Sequence, residues 1–196
     1  MASKNFSENE FFTTKKNILN ETIQLIQNNP QGNITINDIC NASGITKSTF
    51  YYYYHSIDDV INSTLSSINE RIISSIPSVL LEKTCTNQIL KTFTIMHECI
   101  SEMGPGIISL RYTYLLKNKN LNDFPDNEPA YSFIISLLQK ALETQELHST
   151  KNAKELTESC FFLARGVCFT WCIQNGNFNL TEHCQKELST YLKSFS

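Results

Sequence analysis

The sequence predicts an all-α chain in two parts, an N-terminal three-helix unit built on a helix-turn-helix and a larger C-terminal helical half. Three observations lead there. Apolar residues recur at three- and four-residue intervals from Phe11 to Phe195, the period of helices that bury one face. Capping residues and glycine or proline stops punctuate that pattern, and no stretch shows the polar-apolar alternation of a half-buried strand. The first domain is read as residues 1–55 and the second as residues 56–196.

Residues 14–28 carry Ile18, Leu19, Ile23, Leu25 and Ile26 on one broad face, which Phe11 and Phe12 extend upstream. Asn28-Asn29-Pro30-Gln31-Gly32 ends this first helix, because proline and glycine clusters break helical pairing. Thr35 and Asp38 have capping-box spacing, so a second helix begins at Ile36 and buries Ile36, Ile39 and Cys40. Ser43-Gly44 stops it, since glycine enters the left-handed region without steric cost, and Thr46 caps a third helix at once. Ile45 and Phe50 stand at the two positions of a hydrophobic staple. This is a helix-turn-helix.

Turning about 100° per residue from a core-facing Phe50 sets Ser48 and Tyr52 on the opposite side, with Thr49 and Tyr51 on the flanks. A short helix offering Lys47, hydroxyls, tyrosines and outward N-terminal amides suits a phosphate-lined major groove. The other reading of the same pattern is a helix pair in an all-helical core, whose tyrosines only cover surface.

Ser56 and Asp59 repeat the capping-box spacing and open a fourth helix through Ile57, Ile61, Thr64, Leu65, Ile68 and Ile72, with Pro77 marking its end or a kink. One long rod would thus lead out of the N-terminal unit. Five more helices follow. Residues 87–102 place Ile89, Phe93, Met96, His97 and Ile100 on one side, before Gly104-Pro105-Gly106. Residues 107–117 are strongly apolar around Arg111, and residues 118–127 read as a polar loop ending near Pro125. Residues 130–147 have two apolar sides, Tyr131, Ile134, Ile135 and Leu138 against Phe133, Leu137 and Ala141. Residues 154–175 sustain a stripe from Leu156 through Cys160, Leu163, Ala164, Val167, Cys168, Trp171 and Cys172, while Phe161, Phe162, Phe169 and Ile173 spill onto another face. Asn175-Gly176 stops that helix, and residues 180–195 close the chain with a stripe of Leu180, Cys184, Leu188, Tyr191, Leu192 and Phe195.

The chain has 196 residues, 41% of them hydrophobic, as expected of a folded chain with a real core. The start, MASKNFSENE, is too polar and acidic for a signal peptide, and no uncharged apolar run approaches the roughly 20 residues of a membrane span. The expected location is the cytoplasm, without membrane attachment. Seven cysteines without framework spacing fit reduced thiols, so no structural disulfide is expected. The net charge of −3 argues mildly against nucleic acid. Up to Val60, Lys4, Lys15, Lys16 and Lys47 face Glu8, Glu10, Glu21, Asp38, Asp58 and Asp59. A single copy of this unit would bind DNA weakly, because phosphate neutralisation supplies much of the affinity.

Asp38-Ile39-Cys40, Ala42-Ser43-Gly44-Ile45-Thr46, Thr49-Phe50-Tyr51 and the stretch from Ser56 to Ile61 together resemble the N-terminal signature of TetR-family transcriptional repressors. Tyr53 and Tyr54 stand where that family has histidine and phenylalanine. Ile57 stands where it usually has a phosphate-contacting lysine, a contact this chain lacks; His55 offers a weaker one when protonated. Arg165-Gly166, Trp171, Gln174-Asn175-Gly176 and the final amphipathic helix are similar, less specifically, to the family's ligand-binding half. The resemblance implies a homodimer that binds a double-stranded DNA operator and is released from it by a small molecule, with no cofactor. The residues assigned to DNA are Lys15, Thr35, Thr46, Lys47, Ser48, Thr49, Tyr51, Tyr52 and Tyr53. Those assigned to a ligand pocket are Phe93, Met96, His97, Ile100, Arg111, Tyr112, Phe133, Leu137 and Arg165. Cys168, Trp171, Cys172, Leu188, Tyr191 and Leu192 are assigned to the dimer interface.

Several of these residues have a second reading. Cys160, Cys168, Cys172 and the nearby His183-Cys184 suggest a soft-metal or redox site, but without a CxxC pair the expectation is packed thiols and no metal. His97 is either a hydrogen-bonded core histidine or a pocket residue. Arg111 and Arg165 are either paired structural cations or anion readers. No HExxH, GxSxG or Walker A pattern is present, so no enzyme is expected. The competing class is a helical protein-binding adaptor that has lost DNA binding, which the missing lysine and acidic balance would suit.

Overall fold

A computed structural model describes residues 8–29, 34–118 and 128–196. The turn expected at Pro30-Gln31-Gly32 and the polar loop around Pro125 lie outside the described residues. Among those described there are ten helices and no strand: α1 (Glu8–Asn28), α2 (Ile36–Ser43), α3 (Lys47–Tyr53), α4 (Ile57–Asn62), α5 (Thr64–Val79), α6 (Cys85–Met103), α7 (Pro105–Asn118), α8 (Pro129–Glu143), α9 (Ala153–Ile173) and α10 (Leu180–Lys193). The all-α fold expected from the periodicity is the fold observed. The chain divides into two compact units, Met1–Leu65 and Ser66–Ser196.

The expected single fourth helix is broken at Ser63. There the Ser63 hydroxyl donates to the Val60 carbonyl at 2.7 Å and the Thr64 hydroxyl to that of Ile61 at 2.6 Å. Two successive β-hydroxyls bonding back into the preceding turn compete with the backbone ladder, which ends α4 and restarts as α5. Pro77, expected to end or kink this segment, sits inside α5, which runs on to Val79.

In the first unit α1 packs on α2 and α4, and α2 on α3. Their shared core is Ile18, Leu19, Ile39, Cys40, Phe50, Tyr53, Tyr54 and Val60. Phe12 departs from the expected buried face and stands exposed, while Phe11 turns inward onto the core.

In the second unit α6 and α9 each pack against both α8 and α10, so four helices close a ring around one core, and α7 lies on α6 and α9. Phe93 is central: its ring meets that of Phe161 at 5.1 Å, and Phe161 in turn meets Tyr131 at 5.4 Å. By length and composition α9 could cross a membrane. The burial of Leu156, Cys160, Ala164, Cys168 and Trp171 accounts for that apolarity as the core face of a packed helix.

Helix α8 stops at Glu143, short of the expected Leu147, because Gln145 takes a left-handed φ of 57° and turns the chain. That turn delivers Glu146 to the start of α6, where its carboxylate accepts the amides of Cys85 at 2.8 Å and Thr86 at 2.6 Å. Partial burial works against ionisation, yet the hydrogen bonds from Thr86 and Cys85 outweigh it and hold the carboxyl below its ordinary range. A distant carboxylate thus satisfies two amides that the helix itself leaves open. Glu146→Ala should therefore cost about 1–2 kcal/mol, seen as a lower urea midpoint with unchanged slope, whereas exposed Glu143→Ala should leave the midpoint within about 0.5 kcal/mol of wild type.

Candidate nucleic-acid interface and ligand residues

The turn is built from caps. Thr35 precedes α2 in extended conformation; its amide donates to the Asp38 carboxylate at 2.8 Å and its hydroxyl accepts the Asp38 amide at 3.3 Å. The hydrogen bonds from Thr35 lower the carboxyl pKa of Asp38. Gly44 closes α2 at φ 66°, ψ 31°, a conformation that leaves the Ile45 amide free to reach the Cys40 carbonyl at 3.0 Å. Thr46 then caps α3 through the amide of Thr49 at 3.2 Å. Ile45 and Phe50 pack into the same core, as staple positions do. Asn17 adds a tie from α1, its amide donating to the Ser43 carbonyl at 3.4 Å.

Phe50 is wholly buried, while Tyr51 and Tyr52 are 50% and 62% exposed. Thr46, Lys47 and Ser48 are also exposed, and Thr49 is half-buried with its hydroxyl 2.9 Å from that of Thr46. Lys15 is half-buried, its ammonium 5.4 Å from the centre of the Tyr54 ring, a cation–π placement. Thr35 is exposed but committed to the capping box.

Tyr53 does not join the outward set. It lies three residues after Phe50, hence on the same helical face, and is 8% exposed with its ring 4.9 Å from Phe11. Tyr54 completes this inner face, its hydroxyl donating to the Lys15 carbonyl at 3.3 Å. The outward aromatic position is taken by Tyr52, which meets the other edge of Phe11 at 5.9 Å beside exposed Phe12.

Six of the nine ligand-pocket residues fall into two groups. Phe93 and Leu137 belong to the ring core, with Met96 and Phe133 packed against it. Tyr112 and Arg165 line the α7–α9 seam instead, near Cys168. Ile100 and Arg111 are half-buried. His97 is 1% exposed, its Nδ1 2.6 Å from the Phe93 carbonyl and its ring stacked on that of Phe93. Burial, opposed by that hydrogen bond, lowers its pKa to about 4.

The residues assigned to a dimer seam are largely spent inside the chain. Leu188 and Leu192 have no exposure and belong to the ring core, Tyr191 packs against it, and Cys168 and Trp171 are buried. Trp171 also donates its indole N–H to the Phe178 carbonyl at 3.0 Å. Cys172 is half-buried. An amphipathic stripe needs one cover, and for α10 that cover is α6 and α9 of the same chain. An apolar face left open lies on α9: Phe162, Phe169 and Ile173 are 65%, 48% and 69% exposed, with exposed Gly166 between them. Their 4-3-4 spacing puts them on one side of the helix.

No family model matches the chain. It is 23% identical over 177 residues, 90% of this chain and 91% of the relative, to YvdT of Bacillus subtilis (strain 168), described as an uncharacterized HTH-type transcriptional regulator. Among solved structures it is similar to the transcriptional regulator FadR of Bacillus subtilis in complex with stearoyl-CoA, with a TM-score of 0.72 and 12% identity, covering 92% of this chain and 99% of that one. It is also similar to Thermus thermophilus FadR, a TetR-family transcriptional repressor in complex with lauroyl-CoA, with a TM-score of 0.62 and 16% identity over 89% and 91% of the two chains. The fold is that of TetR-family regulators, in agreement with the resemblance carried by Thr49-Phe50-Tyr51 and its neighbours.

The burial of His97 gives the second unit an acid-sensitive component. The unfolded histidine takes up a proton near its ordinary pKa of 6.5, which the folded one refuses until about 4. Stability is therefore full above that upper value and declines as pH falls, by roughly 2 kcal/mol at pH 5. In His97→Gln this component should vanish, so urea midpoints measured from pH 7 to pH 5 should fall less steeply than in wild type.

Proposed function

We propose that the chain is a ligand-responsive transcriptional regulator, a homodimer that holds its operator when ligand-free and is released by a small molecule. The observation that carries the reading is the division of α3, with Phe50 wholly buried and Lys47, Ser48, Tyr51 and Tyr52 exposed on one short helix behind a capped turn. Lys47 and the α3 amides would meet phosphates and Tyr51 and Tyr52 the groove, while Thr35 and Lys15 serve at its edge. Two copies compensate for the acidic balance of each unit, and such a regulator works where DNA is, in the cytoplasm. It is a binding protein and not an enzyme.

The open α9 face supports the homodimer. A stripe of Phe162, Phe169 and Ile173 around Gly166 is self-complementary across a two-fold axis, and the glycine lets two backbones approach closely. The aliphatic and aromatic surroundings of Phe93, Met96, Phe133 and Leu137 favour an apolar ligand, consistent with the acyl-CoA complexes of the two FadR neighbours. Release requires that the ligand bind the DNA-free state more tightly than the DNA-competent one.

An operator selected from a random duplex pool provides the test. Tyr52→Ala should keep its melting behaviour within about 0.5 kcal/mol yet bind at least about tenfold more weakly, while Phe50→Ala should lose about 3–5 kcal/mol of stability. Retention that does not fall with salt would favour the adaptor reading, because phosphate contacts release counterions. For assembly, Phe169→Glu should give a folded monomer by light scattering and circular dichroism. Leu188→Glu should instead lose helix content, since it places a charge in the chain's own core.

A further inference from the structure

Cys168 and Cys172 stand one turn apart on α9, along the edge on which α7 packs. Tyr112 of α7 meets Phe169 edge to face at 5.7 Å, which brings Ser109 and Tyr112 alongside the two thiols. Cys168 is buried and Cys172 half-buried. Cys168 and Cys172 influence each other's ionisation, with Tyr112 beside Cys168 and Ser109 beside Cys172. Hydrogen bonds from Cys168 and Ser109 hold the Cys172 thiol below its ordinary range against the effect of burial, while Cys168 is pushed well above it. Cys172 is thus the more acidic of the two thiols and the one that attacks first, and Cys168 the neighbour that follows.

We propose that Cys168 and Cys172 form a two-thiol site for a monosubstituted trivalent arsenical, a centre that bonds both sulfurs at once. Three constraints select that class. Side chains at i and i+4 of a helix have Cβ atoms about 5–6 Å apart, whereas a disulfide needs about 3.5–4.5 Å, so the pair cannot join directly without unwinding α9. A single bridging atom, with bonds to sulfur of about the 2.3 Å seen for metal thiolates, spans the gap. No group of three or more histidine, cysteine or carboxylate side chains suited to a metal ion occurs among the described residues. Cys184, a further thiol close enough to influence Cys168, directs its S–H to the Ala164 carbonyl at 3.9 Å. Four-coordinate zinc is therefore not served, and a three-coordinate centre that already carries one organic substituent is completed by two sulfurs.

The step is a condensation. Two S–As bonds form, the As=O bond of an organoarsine oxide breaks, and the two thiol protons leave with its oxygen as water. Arsenic stays trivalent and nothing is oxidised or reduced. The site lies on the α7 side of α9, bordering the open face of Phe162, Gly166, Phe169 and Ile173 at Phe169, and stands independently of the operator reading.

The full-length chain treated with one equivalent of phenylarsine oxide should gain one phenylarsenic group by intact mass. That adduct should survive excess β-mercaptoethanol, be stripped by 2,3-dimercaptopropanol, and change the emission of Trp171, the single tryptophan. Cys168→Ser and Cys172→Ser, each checked for wild-type helix content, should each lose the monothiol-resistant adduct, whereas Cys160→Ser and Cys184→Ser should keep it. Peptide mapping of the wild-type adduct gives an answer that needs no variant. Mapping to any other pair, retention of the resistant adduct in Cys172→Ser, or its absence from the wild type would overturn the proposal.

Discussion

The Phe50 ring, excluded from solvent in a helix of seven residues, is the contact on which the N-terminal unit depends. A helix that short does not persist on backbone hydrogen bonds alone, because nucleation costs more than two turns return. It is held by what its inner face buries. Phe50, Tyr53 and Tyr54 enter one core with Ile18 and Leu19 of α1, Ile39 and Cys40 of α2 and Val60 of α4. Tyr54 extends the hold through its hydroxyl, 3.1 Å from that of Ser63 at the α4–α5 break. The outward position of Tyr52 is a consequence of this anchoring.

What was legible in the sequence was what the chain decides locally. Thr35 and Asp38, Gly44, Thr46 and Ser56 each act within a few residues, so their spacing carries the information, and the structure shows the caps where the spacing put them. Tyr53 could have been placed inward from the same sequence, since it lies one helical turn from Phe50. Other features depend on distant partners. Nothing within eight residues of Glu146 indicates that it will close the start of α6, and the stripe of Leu188 and Leu192 looks the same whether covered by its own chain or by a second copy. Only the packed ring of α6, α8, α9 and α10 shows that the first cover is used.

Helix α9 combines both kinds of information. Its sequence displays two apolar faces, and the fold consumes one of them through Leu156, Cys160, Ala164, Cys168 and Trp171. The residues remaining outside are large and apolar around a glycine whose added Cβ would meet nothing within 4 Å in the single chain. Space at Gly166 therefore cannot explain the glycine from within one chain. A helix-interior glycine is about 1 kcal/mol worse than alanine, and close approach of another backbone is a physical use that offsets this.

The ring of four helices also sets an order of events during synthesis. Its first member, α6, packs against its last, α10, and the final turn is pinned where the His148 amide donates to the Phe195 carbonyl at 2.6 Å. Until α10 has been synthesised and has left the exit tunnel, those closing residues are withheld. The aromatic centre formed by Phe93, Tyr131 and Phe161 then lacks its lid of Leu188 and Leu192. The N-terminal unit, a compact body of its own within residues 1–65, is free of that delay and can fold early. Between the two moments the nascent chain pairs a finished head with an open apolar trough, the state in which it is most in need of a chaperone.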